Sequence, residues 1–491
     1  MLLVTLLAVG APASAAPADW SKESIYFLMI DRFRDADPNN NQNVTKGDIR
    51  GWHGGDIAGV MEKLDYIKGL GFTAIWITPH VKNTGRDYHG YGAVDFKDVD
   101  PHFGDLAKMK EFVSEAHKKG LKVIFDIVVN HTGPQSPLVT EHPDWFHPKC
   151  DIANWSDEKQ VQNCWIYALP DFDQSKPEVR TYILDYSKFW IDQTGVDGFR
   201  LDTVRHVPAD FFAWYSAELQ KVKPGFWLIG EVWESGPAKL AVYQKAGVNA
   251  LLDFPIAETA RKVFAKDSGF ALLAGVNKQV EQTMPDPKAM GGFLDNHDMP
   301  RFMSEAKDDK INRLKLGLTY LFGARPIPIL YAGTEVGMEG ANDPYNRVDF
   351  PWDDQKNPDV AALVKRLNEV RKASPALQSG ETVDLLIETK QYAFARKAGD
   401  DLAIVALNNQ ADSFSSAVPV TDLGLKDGTV LVDQISGAKV KVANGAFTPA
   451  LTGRAGAIYR VQPSSFLFPM LGGLIVIIVV AVTGIRRRRR R

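Results

Sequence analysis

Arg200 and Asp202 stand two positions apart in the apolar run Gly198-Phe199-Arg200-Leu201-Asp202, with Thr203-Val204-Arg205-His206 directly after it. Side chains alternate across a strand, so the arginine and the aspartate share one face, and Phe199 and Leu201 share the other. A guanidinium beside a carboxylate favours the charged form of the acid. A positioned, charged carboxylate is what covalent attack on a sugar requires. From this stretch alone, a structural ion pair fits equally well. Other acids end other apolar runs: Asp126, with Asn130 and His131 just beyond it, then Glu231, then Asp298 beside His297. Each alone would also fit a satisfied ion pair. Asp202, Glu231 and Asp298 from three separate runs, with histidines beside them, point to acid–base chemistry at one site.

The elements that must position these residues alternate. Ile57, Val60, Leu64, Ile67 and Leu70 recur at helical spacing, as do Leu106, Met109, Phe112, Val113 and Ala116, and glycines follow both sets. Strand-like runs are predicted at 24–30, 72–78, 121–129, 196–202, 226–232, 248–254, 291–296 and 327–331. Strand and helix in alternation predict a parallel sheet, and eight such units predict a (β/α)8 TIM barrel of the α/β class. In that architecture the site lies at the C-terminal ends of the strands, where the acids fall. Residues 131–173 break the alternation and hold both cysteines, and they are read as a small domain inserted after the third strand. After residue 376 short alternating runs predict a C-terminal antiparallel β-sandwich, residues 377–462. The barrel then takes residues 17–130 and 174–376.

The 491 residues, 45% of them apolar, are enough for two or three domains. A net charge of −3 carries no basic bias toward nucleic acid. Eleven Trp, 14 Tyr and 26 Phe suit stacking on sugar faces, or simply a core. Residues 1–16 read as a secretory signal peptide, although no Lys or Arg stands near the start. Residues 466–485 are uncharged and, at about 1.5 Å each, long enough to cross a ~30 Å hydrocarbon layer. Arg486 to Arg491 follow and are expected to remain cytoplasmic, leaving the body outside, close to the membrane. In an exported chain, Cys150 and Cys164 favour a disulfide over free thiols. Closing a ~15-residue loop contributes around 3 kcal/mol in the chain-entropy model. The loop carrying Asp35, Asp37, Asn39, Asn40, Asn41, Gly54 and Asp56 suits calcium, which takes six to eight oxygens, and equally suits a solvated turn.

The segments Asp126-Ile-Val-Val-Asn-His131, Gly198 to His206, Gly230-Glu-Val-Trp233 and Phe293-Leu-Asp-Asn-His-Asp298 stand in the order of the α-amylase family, glycoside hydrolase family 13. The resemblance spans nearly all of residues 20–462. It implies that Asp202 is the nucleophile, Glu231 the general acid and then base, and Asp298 a third acid that binds sugar hydroxyls. It implies that Arg200, His131 and His297 hold the sugar at the cleaved bond, and that Tyr88, in Tyr88-His89-Gly90-Tyr91, stacks beside it. One implied calcium site takes Asn130, Asp171 and the main-chain carbonyls of Gln162 and His206. A second, similar to that of cyclodextrin glucanotransferases, takes Asp35, Asp37, Asn40, Asn41, Gly54 and Asp56. Tyr167 sits where those transferases place a central ring around which the glucan curls, and Trp233 where they carry an aromatic that favours a sugar acceptor over water. Leu169-Pro170-Asp171 is similar to α-amylases, and the transferases continue with further modules where this chain ends. Arg205, beside His206, replaces the lysine usual in the family. The reading is a secreted, membrane-tethered, calcium-binding, endo-acting α-amylase that cleaves α-1,4-glucan with retention, and a monomer is expected. An α-glucan transglycosylase and a non-catalytic, membrane-anchored relative are the alternatives.

Overall fold

The computed structural model describes residues 19–83, 85 and 87–462. The expected signal peptide, transmembrane run and arginine tail lie outside the described residues.

Eight parallel strands form one sheet: β1 (Ile25–Leu28), β2 (Ala74–Ile77), β3 (Lys122–Val128), β4 (Gly198–Asp202), β5 (Trp227–Gly230), β6 (Ala250–Leu251), β7 (Gly291–Gly292) and β8 (Ile327–Tyr331). Each pairs with its sequence neighbour up to β6, β8 pairs with both β1 and β7, and a bridge from Leu252 to Gly291 closes the cylinder. All eight expected strands are present, but the sixth and seventh are two residues long. The expected 248–254 run stops early because Asp253 caps the helix Phe254–Phe264, accepting the Ile256 N–H, while Pro255 occupies its first turn.

The helices between strands bury the stripe their sequences specify. In Leu106–Lys118, Met109, Phe112, Val113 and Ala116 face the core. Asp105 caps it through the Lys108 N–H, and Gly120 leaves it at φ +67°. The helix expected from Ile57 is instead two, Ile57–Glu62 and Leu64–Gly69, divided at Lys63, whose φ of −101° and ψ of 7° depart from helical values.

Two excursions build the upper face. After β2 an antiparallel hairpin, Val81–Asn83 with Ala93–Val99, carries the loop holding Asp87, His89 and Tyr91. The burial of these strands follows no regular alternation, so the sequence gives no strand signal there. After β3 the chain forms short helices, Leu138–Glu141 and Glu158–Asn163 among them, before the long helix Pro177–Thr194. There Cys150 and Cys164 form the expected disulfide, with an S–S distance of 2.11 Å.

The C-terminal region is antiparallel, as expected. Strands Glu381–Ile387, Gln391–Ala398, Asp401–Asn408, Ala455–Val461, Val430–Asp433 and Lys439–Lys441 lie side by side in that order. The second layer is a two-stranded sheet, Val418–Pro419 with Ala446–Phe447. Its Val418 and Phe447 share a core with Ala393, Ile404, Ala406 and Tyr459. This region packs closely on the barrel helix Lys310–Gly323: a Cβ on Gly323 would lie 2.9 Å from Val405, and one on Gly456 would lie 2.8 Å from Thr319.

Candidate active site

The centre of the site is a buried guanidinium shared by three acids. Arg200 points into the barrel from β4 and has no exposed surface. Its Nη1 lies 2.9 Å from Asp126 Oδ1 on β3 and 2.7 Å from Asp202 Oδ1, and its Nη2 lies 2.9 Å from Glu231 Oε2. Trp76 Nε1 and Tyr91 Oη donate to the other oxygen of Asp126, at 3.1 and 2.9 Å. Asp202 and Glu231 are therefore neighbours across one planar group, each nearly buried at 6% and 7% exposure. Removing a guanidinium from water is costly unless it is paired, and the acids around Arg200 supply the pairing.

Glu231 follows β5, its N–H donating to Leu201 O at 2.9 Å and its Oε2 accepting from the Thr203 N–H at 3.3 Å. Thr203 holds that amide in place from a left-handed conformation, φ +47°, a strain of order 1–3 kcal/mol of the kind stored at functional sites. Burial pushes Glu231 up to about 8; Arg200 opposes the shift, and Asp202 and Asp298 add to it. The glutamic acid is thus held protonated at neutral pH. Asp298, beyond β7, is a quarter exposed, with Oδ1 2.9 Å from Arg347 Nη2 and Oδ2 3.3 Å from His297 Nε2.

The histidines here are neutral. Burial drives His297 well below its ordinary value, with Arg347 and Arg200 adding to the effect. Burial likewise lowers His131, brings His89 down to about 4, and brings His206 down to about 4. His131 Nε2 lies 3.1 Å from Tyr91 O. Tyr91 stacks on His297, centroids 5.4 Å apart and planes 14° from parallel.

These groups open into a cavity of about 820 Å³, lined by Asp202, Glu231, Asp298, His131 and His297 and by Tyr167, Arg205, His206 and Trp233 farther out. Tyr167 is 85% exposed at φ +50°, and Trp233 is 43% exposed and stacked on Phe254 at 5.0 Å. Arg205 does not extend freely into the cavity: its Nη2 lies 2.8 Å from Glu234 Oε1 and donates also to the Trp155 carbonyl.

Tyr88 is the expected substrate contact that the structure moves elsewhere. It is 4% exposed and packs under Arg32, 3.9 Å from ring centroid to guanidinium, outside the cavity lining. Gly90 turns the chain between the two tyrosines at φ +88°, so close to Pro79 that a Cβ would lie 2.1 Å from its carbonyl oxygen. That turn buries Tyr88 and leaves Tyr91 on the cavity wall. Tyr91, His89, Asp87, Arg347 and Asp343 also line the cavity and were missed. Tyr91 lay within the quoted Tyr-His-Gly-Tyr stretch. For Arg347 and Asp343 the one available signal was their place beyond the end of the last barrel strand.

Both expected calcium positions hold buried, unpartnered oxygens. Asn130 Oδ1 and Asp171 Oδ1 have no hydrogen-bond partner, while Asp171 Oδ2 lies 2.7 Å from His147 Nδ1. Burial pushes Asp171 up to about 7. His206 Nδ1 meets Val161 O at 2.9 Å, which brings the helix carrying Gln162 against the turn carrying His206. In the other loop Asn40 Oδ1 and Asn41 Oδ1 are likewise buried and unpartnered, and Gly54, at φ +90°, leaves room that a Cβ would take from Asn41 Oδ1 at 2.5 Å. Asp35 Oδ2 is met by Lys46 at 3.1 Å. Asp37 Oδ1 accepts the Asn39 N–H, and Asp56 Oδ1 caps the helix Ile57–Glu62 through the Gly59 N–H at 2.6 Å. No group of three or more His, Cys, Asp or Glu side chains converges as a metal site among the described residues; the first set carries one carboxylate, and Asp35, Asp37 and Asp56 of the second bond to Lys46, the Asn39 N–H and the Gly59 N–H respectively.

A closed parallel barrel with paired carboxyls at its strand ends, one of them a buried acid held protonated, defines an acid–base enzyme of the (β/α)8 class. The sequence profile described as alpha amylase, catalytic domain, matches residues 27–373. The chain is 36% identical over 454 residues to a beta/alpha-amylase of Paenibacillus polymyxa, covering 88% of this chain and 37% of that protein. It is 31% identical to a cyclomaltodextrin glucanotransferase of Klebsiella oxytoca, covering 90% and 78%. Among solved structures, an Anoxybacillus α-amylase superposes with a TM-score of 0.87 at 40% identity, covering 91% of this chain and 99% of that one. The Geobacillus thermoleovorans α-amylase complexed with acarbose superposes at 0.86 and 38% identity, covering 91% and 100%. The chain belongs to the α-amylase family, whose members matched here include both amylases and glucanotransferases.

Proposed function

We propose that this protein is an extracytoplasmic α-amylase that cleaves internal α-1,4 bonds of starch, glycogen or maltodextrins with retention of configuration. The observation that carries the reading is the single guanidinium of Arg200 holding Asp202 and a protonated Glu231 side by side. Glu231 gives its proton to the glycosidic oxygen as that bond breaks, and an Asp202 oxygen bonds to the anomeric carbon, forming a covalent glycosyl ester. Glu231, now a carboxylate, takes a proton from water, whose oxygen displaces Asp202 and restores both acids. Asp298, with the neutral His131 and His297, accepts and donates hydrogen bonds to the sugar hydroxyls, and Tyr91 offers its face to the ring. The complex of the Geobacillus amylase with acarbose supports a glucan-like ligand in this cleft.

A second reading, transglycosylation, has its own support. Tyr167 and Trp233 expose aromatic surface on the cavity wall where an acceptor sugar would stack, and a glucanotransferase with a three-domain arrangement superposes at a TM-score of 0.80 and 31% identity. The product profile on soluble starch decides between them. Linear maltooligosaccharides in the α configuration, lost in Asp202→Asn, support hydrolysis. Cyclic or lengthened products move the assignment to transfer, and no product from either protein refutes an enzymatic role.

Calcium belongs to the same reading: Asn130, Asp171 and the carbonyls of Gln162 and His206 would hold one ion, and the loop from Asp35 to Asp56 a second. The unpartnered buried oxygens of Asn130, Asp171, Asn40 and Asn41 fit such ions, whose contribution is to brace the walls of the cleft. Chelation is expected to lower the Tm, and Asn130→Ala to shrink that response. An unchanged Tm after chelation would count against both sites. Export is supported by the disulfide, which forms and persists in oxidising compartments.

A further inference from the structure

Three arginines are buried together under the barrel, at its junction with the antiparallel sheet. Arg325 precedes β8, Arg371 ends the helix Pro358–Lys372, and Arg396 lies on the strand Gln391–Ala398. Their exposures are 3%, 2% and 0%. Arg325 is answered by Asp253, 3.4 Å away, and at 3.8 Å by Glu281. Arg371 and Arg396 form no ion pair with a carboxylate among the described residues; they donate to neutral oxygens. Arg371 bonds Leu377 O at 2.5 Å and Ser21 O at 3.0 Å, and reaches Phe322 O and Ala324 O at 3.5 Å. Arg396 bonds Ala376 O at 3.3 Å and Thr382 Oγ1 at 2.9 Å. The two guanidiniums thus grip the carbonyls of the adjacent residues Leu377 and Ala376, near enough for the charge of Arg396 to act on Arg371.

Each of the three still has a buried nitrogen without a hydrogen-bond partner: Nε of Arg325, Nε of Arg371 and Nη2 of Arg396. Burial and then Arg396 push Arg371 down to about 9, and burial and then Arg325 push Arg396 down to about 10, with Glu281 opposing at longer range. Three guanidiniums thus face two carboxylates, Asp253 and Glu281, leaving one positive charge in excess. A guanidinium keeps its proton in proteins, so a counter-ion, not deprotonation, relieves that excess.

We infer that this junction binds one small monovalent anion of the halide class, held by the unpaired N–H groups of Arg371 and Arg396. The donors are few and enclosed. They suit a singly charged ion better than sulfate or phosphate, whose greater charge costs more to strip of water. The ion bridges the barrel helix that carries Arg371 and the sheet strand that carries Arg396, and so ties the C-terminal region to the barrel. The site lies at the end of the barrel opposite the catalytic acids.

The test is thermal unfolding of the full chain in sodium chloride and in sodium gluconate at matched ionic strength, together with anomalous diffraction from crystals soaked in bromide. Chloride is expected to raise the Tm by a saturable amount, as a ligand of the folded state does. Arg396→Gln is expected to lose that dependence, and bromide to give an anomalous peak between Arg371 and Arg396. Should the variant fail to fold, the wild-type salt comparison and the bromide peak still decide. Equal Tm in the two salts, a junction filled only by water, or a salt effect that survives in Arg396→Gln would each overturn the assignment.

Discussion

At the scale of single residues, the proton on Glu231 sets a measurable limb. Its carboxyl must be protonated to act as the acid, and burial raises it to about 8 from an ordinary 4.5. The value of kcat/KM is therefore expected to fall as pH rises through about 8, and Glu231→Gln to lose roughly 100- to 10,000-fold at any pH. The same shift links to stability. The folded state holds this proton where the unfolded chain releases it, so the contribution is full below about 4.5 and is lost as pH rises through about 8. A pH–rate profile with no alkaline limb near 8 would contradict the acid role. The two tyrosines flanking Gly90 give a second contrast. Tyr91→Ala is expected to lower kcat/KM strongly and also to lower the Tm, because it removes a donor to the buried Asp126 and the ring stacked on His297. Tyr88→Ala, removing a buried ring, is expected to cost about 3 kcal/mol of stability and to lower kcat/KM less than Tyr91→Ala does, since it reaches the site only through Arg347, the partner of Asp298. Kinetics and melting of both variants check the pair; equal kinetic losses would sink the distinction. Sequence alone could not separate them, because both rings stand in one short stretch and the turn at Gly90 that sends them apart is a backbone property.

At the scale of elements, the excursion after β3 depends on a covalent tie. Cys150 and Cys164 are 14 positions apart, and closing a loop of that size restricts the unfolded chain by about 3 kcal/mol in the entropy model. Cys150→Ser is expected to lower the unfolding free energy by about that amount, measured by denaturant titration in calcium. An unchanged midpoint would show that packing alone holds the segment. Most of the barrel was legible in the sequence because its strands are continuous apolar runs between glycine-ended helices, as β3, β4 and β8 illustrate. The short extent of β6 and β7 was not: the run 248–254 reads as strand, but only Ala250 and Leu251 pair as one, because the cap at Asp253 and the proline in the first turn start a helix. Nor was the hairpin at residues 81–99, whose burial alternates too irregularly to give a period. Asp126, Asp202, Glu231 and Asp298, in contrast, were legible, since each lies in or after an apolar run that becomes a barrel strand, whereas Asp87 and Asp343, which stand in loops away from such runs, were not.

At the scale of the whole molecule, the last described strand ends at Val461, and the apolar run begins at Phe466. If that run anchors the protein, fractionated cells should carry full-length chain with the membranes and release a chain lacking its last 26 residues. Retention of the truncated chain on membranes would rule out this anchor. An anchored body would work on glucan within a few residues' reach of the lipid surface.

The seam between β6 and β7 has a consequence for how the molecule moves. Two strands of two residues each, joined by one bridge from Leu252 to Gly291, leave this side of the cylinder with far fewer backbone bonds than the side built from β2, β3 and β4. Amides there are expected to exchange for deuterium ahead of the rest of the barrel, and exchange as slow as that of β3 and β4 would show the seam to be no weaker. Glu231 stands on one bank of that seam and Asp298 on the other, so the weakest stave of the barrel is also the one that sets the distance between two of its acids.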